Sequence, residues 1–540
     1  MSIPPKTPAP DTTARSAGTA RFWDWCTVCV ALAVLAMHLR FAALDTRLPR
    51  DLGLYHQDII VAADAWESLD VAGLVGVLAT STGWLNALHG LLQAVAGPSA
   101  PLLNATCAFW VTIVVLGTAW TARTAAGPLA GCVAAALVGA MPMVSVTGRE
   151  LWIHLPEAAL VSTIAAFWTM DPHLERRRTV LWVGVLGALL VSLRASGIPW
   201  ALGLLLVMGT PQKGHAGAAR WLRLALAVLP WLVAVMVQVE DFAAYITAKL
   251  NAREGYAQRL KDPLGQWMEF VGLLPALLAL VGAMLSVVGA RRRVGRLHLL
   301  GAGFVLGSVA LWAISRAGLD NFVVLAPGLA LLAALGLSGD RWVGGVLALE
   351  VFLITWLPQL LPVEVVRPLA HLPPYGLYGA WPQYGNRYRP WTGTEAADTD
   401  SLLAAVCPAS GPCTIAVNQG LYTPFGEEPG RLEVFLSGHD RVELLDLRQG
   451  WPPHGRHHDG RAPDALVSWS CRNRDDDWQI RFPRAEAGQQ WVTERYNLAP
   501  IWESRVDRRC RTVWSTPNAA VAHPERLPTA AVDASRGVAW

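Results

Sequence analysis

Four acids stand in the stretch YHQDIIVAADAWESLD, residues 55–70: Asp58, Asp64, Glu67 and Asp70. A carboxylate within hydrogen-bond reach of a hydroxyl can take its proton, which is general-base chemistry. Ile59, Ala62, Trp66 and Leu69 recur there at helical spacing, leaving Asp64, Glu67 and Asp70 as the solvated face of an amphipathic helix expected over 59–79. Asp58 stands where that helix is expected to begin. It is either an N-cap accepting orphaned backbone N–H groups or a base held at a membrane surface.

Other residue types that could serve a reaction fall at the ends of apolar runs. Arg149, Arg194 and Arg316 are candidates to hold a phosphate, which guanidinium binds in bidentate geometry. Simpler pairings exist for two of them: Arg149 with Glu150 or Asp58, and Arg316 with Asp320, as weak surface pairs. Arg194, in the break SLRASG between two apolar segments, is costly unless it faces a cavity or a partner. His154 and Glu157 stand at the start of another run and could bind an acceptor or orient Asp58; Glu157 could instead cap a helix restarting at Pro156. Glu350, within VLALEVFLITW, reads as functional or as the partner of another buried polar group. The cluster HGRHHD (His454, His457, His458, Asp459) has ligand types without the spacing of a structural metal site, so no metal residues are assigned. The run RDDD (474–477) reads as a solvated turn.

The elements that must position these residues are mostly membrane helices. The 540-residue chain is 53% hydrophobic and only 16% charged, with mean hydropathy +0.34, whereas a soluble chain would carry roughly a quarter charged residues. Its 25 Trp fit aromatic belts at membrane interfaces. Net charge is +3, with basic residues in short clusters between apolar runs, which reads as topology and argues against a nucleic-acid surface. Apolar runs near 23–44, 101–121, 127–147, 153–170, 179–193, 197–210, 222–239, 269–290, 297–315, 321–338 and 342–361 predict about eleven transmembrane helices. The stretch 84–97 is too short to span and reads as interfacial or re-entrant.

With the tail (Lys6, Arg15, Arg21) inside, Arg123, Arg176–Arg178, Lys213, Arg220, Arg291–Arg293, Arg296 and Arg341 all fall on the cytoplasmic side. Residues 1–22 then form a disordered cytoplasmic tail with no cleavable signal peptide, 23–362 the membrane domain, 363–515 a soluble domain on the far side and 516–540 a flexible tail. Cysteine usage agrees. Cys407, Cys413, Cys471 and Cys510 gather in the polar C-terminal portion, an even number that implies disulfides in an exported domain. Proximity favours Cys407–Cys413 with Cys471–Cys510 among three pairings, and no CxxC spacing supports zinc there. Strand-like runs at 414–420, 442–447 and 465–470, with a more helical stretch near 429–438, predict a small α/β domain.

The order of these pieces resembles the GT-C superfamily of membrane glycosyltransferases, specifically the family 39 group that includes protein O-mannosyltransferases and lipid A aminoarabinose transferases. YHQD (Tyr55, His56, Asp58) occupies the position of that family's acidic motif in the first external loop. TGWLNALHGLL (82–92) takes the place of its His-Pro-Pro-Leu-like segment. RELWIHLPEAALVSTIAAFW (149–168) is similar to the second external loop and fourth helix, LLVSLRASGIPWALGLLLV (189–207) to the segment where a basic residue interrupts paired short helices, and DNFVVLAPGLALLAALGL (320–337) to the Arg-Tyr-led helix. The likeness covers about 23–362. Several positions depart from the pattern: Ile59 stands for the second acid, Leu85 and Asn86 for Pro-Pro, Asn321–Phe322 for Arg-Tyr, and Pro156 for the acid of the fourth helix, with Glu157 beside it.

The resemblance implies transfer of a sugar from a polyprenyl-phosphate donor to a hydroxyl, or occasionally an amine, of a lipid, glycan or protein acceptor outside a bacterial inner (plasma) membrane. It implies Asp58 as base, Tyr55, His56, Arg149, Arg194, Arg316, His154 and Glu157 as substrate-binding residues, and leaves a divalent cation open. Two rivals stand beside it. A transporter would show repeats and broken helices in both halves; the one broken pair, 179–210, has no counterpart. A catalytically inactive relative that binds lipid-linked sugars as an envelope scaffold would account for Ile59.

Overall fold

The computed structural model describes residues 12–44, 50–80, 82–97, 100–145, 153–194, 196–210, 218–239, 243, 271–289, 300–301, 303–304, 323–338, 342–360, 407, 413–418, 442–446, 463–469, 493–506 and 509–515. The described helices are α1 (Thr12–Leu44), α2 (Arg50–Glu67), α3 (Val71–Leu78), α4 (Gly83–Ala96), α5 (Ala100–Ala126), α6 (Pro128–Ala140), α7 (Pro142–Ser145) and α8 (His154–Met170). They continue as α9 (Arg177–Leu193), α10 (Gly197–Gly209), α11 (Ala218–Val237), α12 (Leu273–Gly289), α13 (Leu325–Leu337) and α14 (Val343–Leu360). Among the described residues, Gly18–Ala43, Leu102–Ala126 and Ala218–Val237 are helical segments long and apolar enough to cross a membrane, with five shorter apolar helices beside them. The expected span 297–315 lies largely outside the described residues.

The chain divides into two compact units. One comprises Met1–Ala43, Asp58–Leu92 and Leu102–Arg389, the other Leu44–Gln57, Gln93–Pro101 and Pro390–Trp540.

In the longest apolar helices of the first unit, such as α5, packing decides which side is buried. In α5, Leu103, Cys107, Val111 and Val114 are fully enclosed, while Phe109, Leu116 and Trp120 face out, as expected where lipid is the solvent. Small residues let backbones touch. A Cβ on Gly336 of α13 would stand 1.9 Å from the Gly282 carbonyl oxygen of α12. Gly187 of α9 leaves room for the Trp231 ring of α11, whose Nε1 donates to the Val183 carbonyl at 3.0 Å. A Cβ at Gly187 would fall 1.8 Å from that ring. Gly187→Ala is therefore expected to destabilise the bundle by about 1–3 kcal/mol, as overpacking does, lowering the detergent-solubilised protein's thermal midpoint.

Helix ends sort into two groups. At one, the Arg123 guanidinium closing α5 holds Asp24 of α1 through two hydrogen bonds of 2.6 and 2.9 Å. Arg220 of α11 donates to the Met208 and Thr210 carbonyls at the end of α10 at 2.7 and 3.0 Å. Asp171, after α8, accepts from the backbone N–H groups of Glu175 and Arg176, beside the Arg177–Arg178 start of α9. At the other group of ends, Gln238 after α11 donates to the Thr80 carbonyl at 3.2 Å, and the Thr82 N–H to the Ser192 carbonyl of α9 at 3.3 Å. Arg123, Arg176–Arg178 and Arg220 each stand at a helix end or in the turn beside it, where the charge pattern expects loops.

Two expected elements are broken. The helix expected over 59–79 is α2 followed by α3. Leu69 takes a left-handed φ of 54°, Asp70 caps α3 by accepting the Ala72 N–H at 3.0 Å, and Leu69, expected on the buried stripe, is 77% exposed. Its left-handed turn swings it off the face that Ile59 and Ala62 bury. The run 127–147 breaks at Met141, which is extended at ψ 126°. Proline disfavours helical backbone in the residue before it and cannot itself donate an N–H to continue the ladder, and Pro142 follows.

In the second unit, β1 (Cys413–Asn418), β2 (Val442–Asp446), β3 (Ala465–Trp469), β4 (Ala499–Val506) and β5 (Arg509–Ser515) form one sheet ordered β2-β1-β3-β5-β4. β1 runs parallel to β2 and β3, while β5 runs antiparallel to β3 and β4. Asp464 fixes the register. Its carboxylate accepts the Thr414 N–H at 2.8 Å, and its carbonyl accepts the Ser515 hydroxyl at 2.7 Å. Cys407 and Cys413 form the expected disulfide. Cys471, the helical stretch 429–438, HGRHHD and RDDD lie outside the described residues, as does the side chain of Cys510 on β5.

Candidate functional site

Asp58 lies in the third turn of α2, not at its start. The N–H groups of an interior turn already have their helical partners, so the capping role is excluded and falls to Asp70 instead. Asp58 is half-buried, and burial raises its carboxyl above the ordinary carboxylate range. Its neighbour Ile59 is fully buried together with Ala62. Gly90 of α4 permits that approach, because a Cβ there would meet the Ala62 Cβ at 2.5 Å and the Ala63 nitrogen at 2.8 Å. The Trp66 indole donates to the Ala87 carbonyl at 2.9 Å and closes the contact.

The side of α4 turned inward is polar. Thr82, Asn86, His89 and Gln93 are buried, whereas Leu88, Leu91 and Val95 are exposed. Asn86 Nδ2 donates to Thr82 Oγ1 at 3.0 Å and to Asp58 Oδ2 at 3.4 Å. His89 Nε2 stands 3.2 Å from Thr106 Oγ1. The single Thr106 hydroxyl proton already goes to the Leu103 carbonyl at 2.7 Å, so Nε2 must carry the proton of that contact. His89 Nδ1 is then a bare lone pair with no hydrogen-bond partner among the described residues. Full burial pushes the His89 pKa down to about 4, which keeps the ring neutral.

The break between α9 and α10 adjoins this cluster. Trp84 Nε1 donates to the Leu189 carbonyl at 3.1 Å, and Ser192 accepts from Thr82 as described. Arg194 follows in extended backbone, φ −170° and ψ 161°, and is half-buried. Two residues on, the Ser196 hydroxyl donates to Glu157 Oε1, while His154 Nδ1 lies 2.8 Å from Glu157 Oε2. All three side chains are buried. Glu157 therefore joins the start of α8 to the start of α10 and does not cap its helix. The sequence-predicted residues Asp58, Arg194, His154 and Glu157 thus belong to one group of helix ends, linked through Asn86, Thr82, Ser192 and Ser196. Asp58 itself meets Asn86, and Glu157 meets His154 and Ser196.

Arg149 and Arg316 lie outside the described residues, as do the side chains of Tyr55 and His56, which precede Asp58 on α2. Glu350 is exposed on α14. Among the described residues no group of three or more His, Cys, Asp or Glu is placed to hold a metal. Neither Thr82 nor Ser196 stands out in the sequence, and Asn86 stands out only as a departure from the family pattern. Polar residues at positions 82, 86, 89 and 93 of an apolar stretch, spaced by four, three and four, are a legible helical stripe.

No family model matches the chain, and no curated protein matches it. Several solved structures are similar in backbone course. ArnT from Cupriavidus metallidurans, bound to undecaprenyl phosphate, is 15% identical, with 92% of this chain and 98% of that one covered and a TM-score of 0.46. The archaeal oligosaccharyltransferase AglB from Archaeoglobus fulgidus, in complex with an inhibitory peptide and a dolichol-phosphate, is 11% identical, with 83% and 69% covered and a TM-score of 0.45. The arabinofuranosyltransferase AftD from mycobacteria is 14% identical, with 92% and 40% covered and a TM-score of 0.44. These structural neighbours are GT-C glycosyltransferases.

Proposed function

We propose that the chain is an integral-membrane glycosyltransferase that moves a sugar from a polyprenyl-phosphate donor to an acceptor hydroxyl or amine on the extracytoplasmic face of a bacterial inner membrane. The observation that carries this reading is Asp58: a half-buried carboxylate inside a helix, free of any capping duty and held by a buried amide at the helix ends that include Arg194. The acceptor O–H gives its proton to Asp58 as its oxygen attacks the anomeric carbon. The bond from that carbon to the phosphate oxygen breaks, and charge builds on the departing polyprenyl phosphate. Arg194, with Arg149 and Arg316, stabilises that charge. The Cys407–Cys413 disulfide supports an exported sheet domain, as the eleven crossings expected from the sequence imply. Acceptors of three kinds remain under this reading: lipid, glycan or protein.

A second reading has one observation in its favour. Ile59, standing where the resembled family has its second acid, is fully buried, so a relative that binds lipid-linked sugar without turning it over fits that position. Membranes containing the wild-type protein, supplied with radiolabelled polyprenyl-phosphate sugars with and without a chelator, separate the two. Label passing to an acceptor supports the transferase, and label retained without transfer supports the inactive binder. Neither across several donors removes both.

The raised Asp58 pKa gives the reaction a pH signature. Protonated Asp58 cannot accept a proton, so kcat/KM is expected to fall on the acid side at a pH above the ordinary carboxylate range. A pH–rate profile checks this; an acid limb at an ordinary carboxylate value argues against Asp58 as base.

A further inference from the structure

We propose that Thr82 and Asn86 form a clamp that positions Asp58, with Asn86 as a positioning residue that no motif of the resembled family supplies. The idea rests on the reading of Asp58 as base and concerns how this chain, with Ile59 beside it, holds a single acid in place.

Hydrogen inventory makes the case. A side-chain amide nitrogen carries two protons. In Asn86 one goes to Thr82 Oγ1 at 3.0 Å and the other to Asp58 Oδ2 at 3.4 Å, so both are committed. Turning the amide over would set its carbonyl oxygen against the carboxylate, oxygen facing oxygen, so the nitrogen must face Asp58. Asn86 and Thr82 are both buried, which removes water as a competing partner.

Thr82 anchors the other end. It adopts a left-handed φ of 67°, a conformation that costs a β-branched residue and persists only where surroundings enforce it. The enforcement is visible: its N–H is bound to the Ser192 carbonyl, and its own carbonyl accepts the N–H groups of Leu85 and Asn86 at 2.9 and 3.0 Å. Asn86 therefore stands on a fixed base tied to the break that carries Arg194.

The clamp also bears on charge. An amide donor stabilises the carboxylate over the acid, opposing the burial that raises Asp58. On α2, Asp64 and Glu67 are exposed. The titratable group that α4 turns inward is His89, which is neutral. Asn86 is thus the polar group through which α4 acts on Asp58.

The test reads Asp58 directly and does not depend on turnover. Dicyclohexylcarbodiimide modifies protonated carboxyls in apolar surroundings, and mass spectrometry of the Asp58 peptide gives the midpoint of labelling against pH. In Asn86→Ala the midpoint is expected to rise by roughly one pH unit. Thr82→Val, which removes the acceptor that orients Asn86, is expected to move it the same way by less. Should Asn86→Ala fail to insert, the Thr82→Val midpoint alone decides. Unchanged midpoints in folded variants overturn the clamp, even if Asp58→Asn abolishes transfer. Raised midpoints with transfer that is indifferent to Asp58→Asn establish the clamp and remove Asp58 as base.

Discussion

Asp58→Asn is expected to cut sugar transfer by about 10²–10⁴-fold, the range a positioned proton acceptor contributes, while the protein inserts and folds normally. The isostere retains the contact with Asn86, since its own carbonyl can accept the Nδ2 proton that now goes to Oδ2. Stability should move the other way from activity. Burial raises the Asp58 pKa, so the folded chain prefers the protonated form. That preference stabilises the fold fully below the ordinary carboxylate range and is lost as pH rises through the raised value. At neutral pH the charged side chain is therefore a net cost, and the asparagine variant should unfold at the same temperature as wild type or slightly higher. Under acid the difference should vanish. Transfer assays paired with thermal unfolding at two pH values check both halves; a variant that loses transfer together with stability would reduce Asp58 to a structural residue.

Glu157→Ala is expected to be the most destabilising single change at the site. Ser196 Oγ and His154 Nδ1 both converge on the Glu157 carboxylate from buried positions. Deleting the carboxylate leaves buried polar groups without a partner, at roughly 1–3 kcal/mol apiece, and opens a void besides. The loss is local in a way that matters, because Ser196 lies two residues beyond Arg194. Releasing the start of α10 from α8 loosens the backbone that carries Arg194, and transfer should fall with stability. Glu157→Gln keeps the shape and one acceptor oxygen for Ser196, so it should lose less on both counts. Tryptophan fluorescence during thermal unfolding, alongside transfer rates, distinguishes the variants; equal midpoints for Glu157→Ala and wild type would show that the network carries no weight.

Much of this architecture is legible in the sequence because hydropathy and charge act there without tertiary help. SLRASG signals a break, and the structure ends α9 at Leu193 and begins α10 at Gly197. The three strand-like runs coincide with β1, β2 and β3. What escaped depends on partners far away in sequence. Asp58 reads as a helix start because the apolar stripe begins at Ile59, yet α2 begins at Arg50, among polar residues that announce nothing. Leu69 carries no sequence mark of its left-handed backbone, since leucine rarely adopts it. Asn86 looks like a lost proline until Asp58, 28 residues earlier, is placed opposite it. The hairpin β4–β5 was hidden by charge: Glu503, Arg505, Arg509 and Arg511 interrupt the apolar alternation that would otherwise betray strands.

The strand order has a consequence for how the polypeptide is made. β3 pairs with β1 on one side and with β5 on the other, and β5 is the last of the five strands to leave the ribosome. At a synthesis rate of about 5–20 residues per second, the 39 residues between Trp469 and Arg509 take seconds to appear. Throughout that interval β3 carries an unsatisfied row of amides and carbonyls, a template for pairing with the wrong chain. A message truncated between codons 470 and 509 would make that interval permanent. Premature termination in this region should therefore yield aggregates rather than a shortened, working protein.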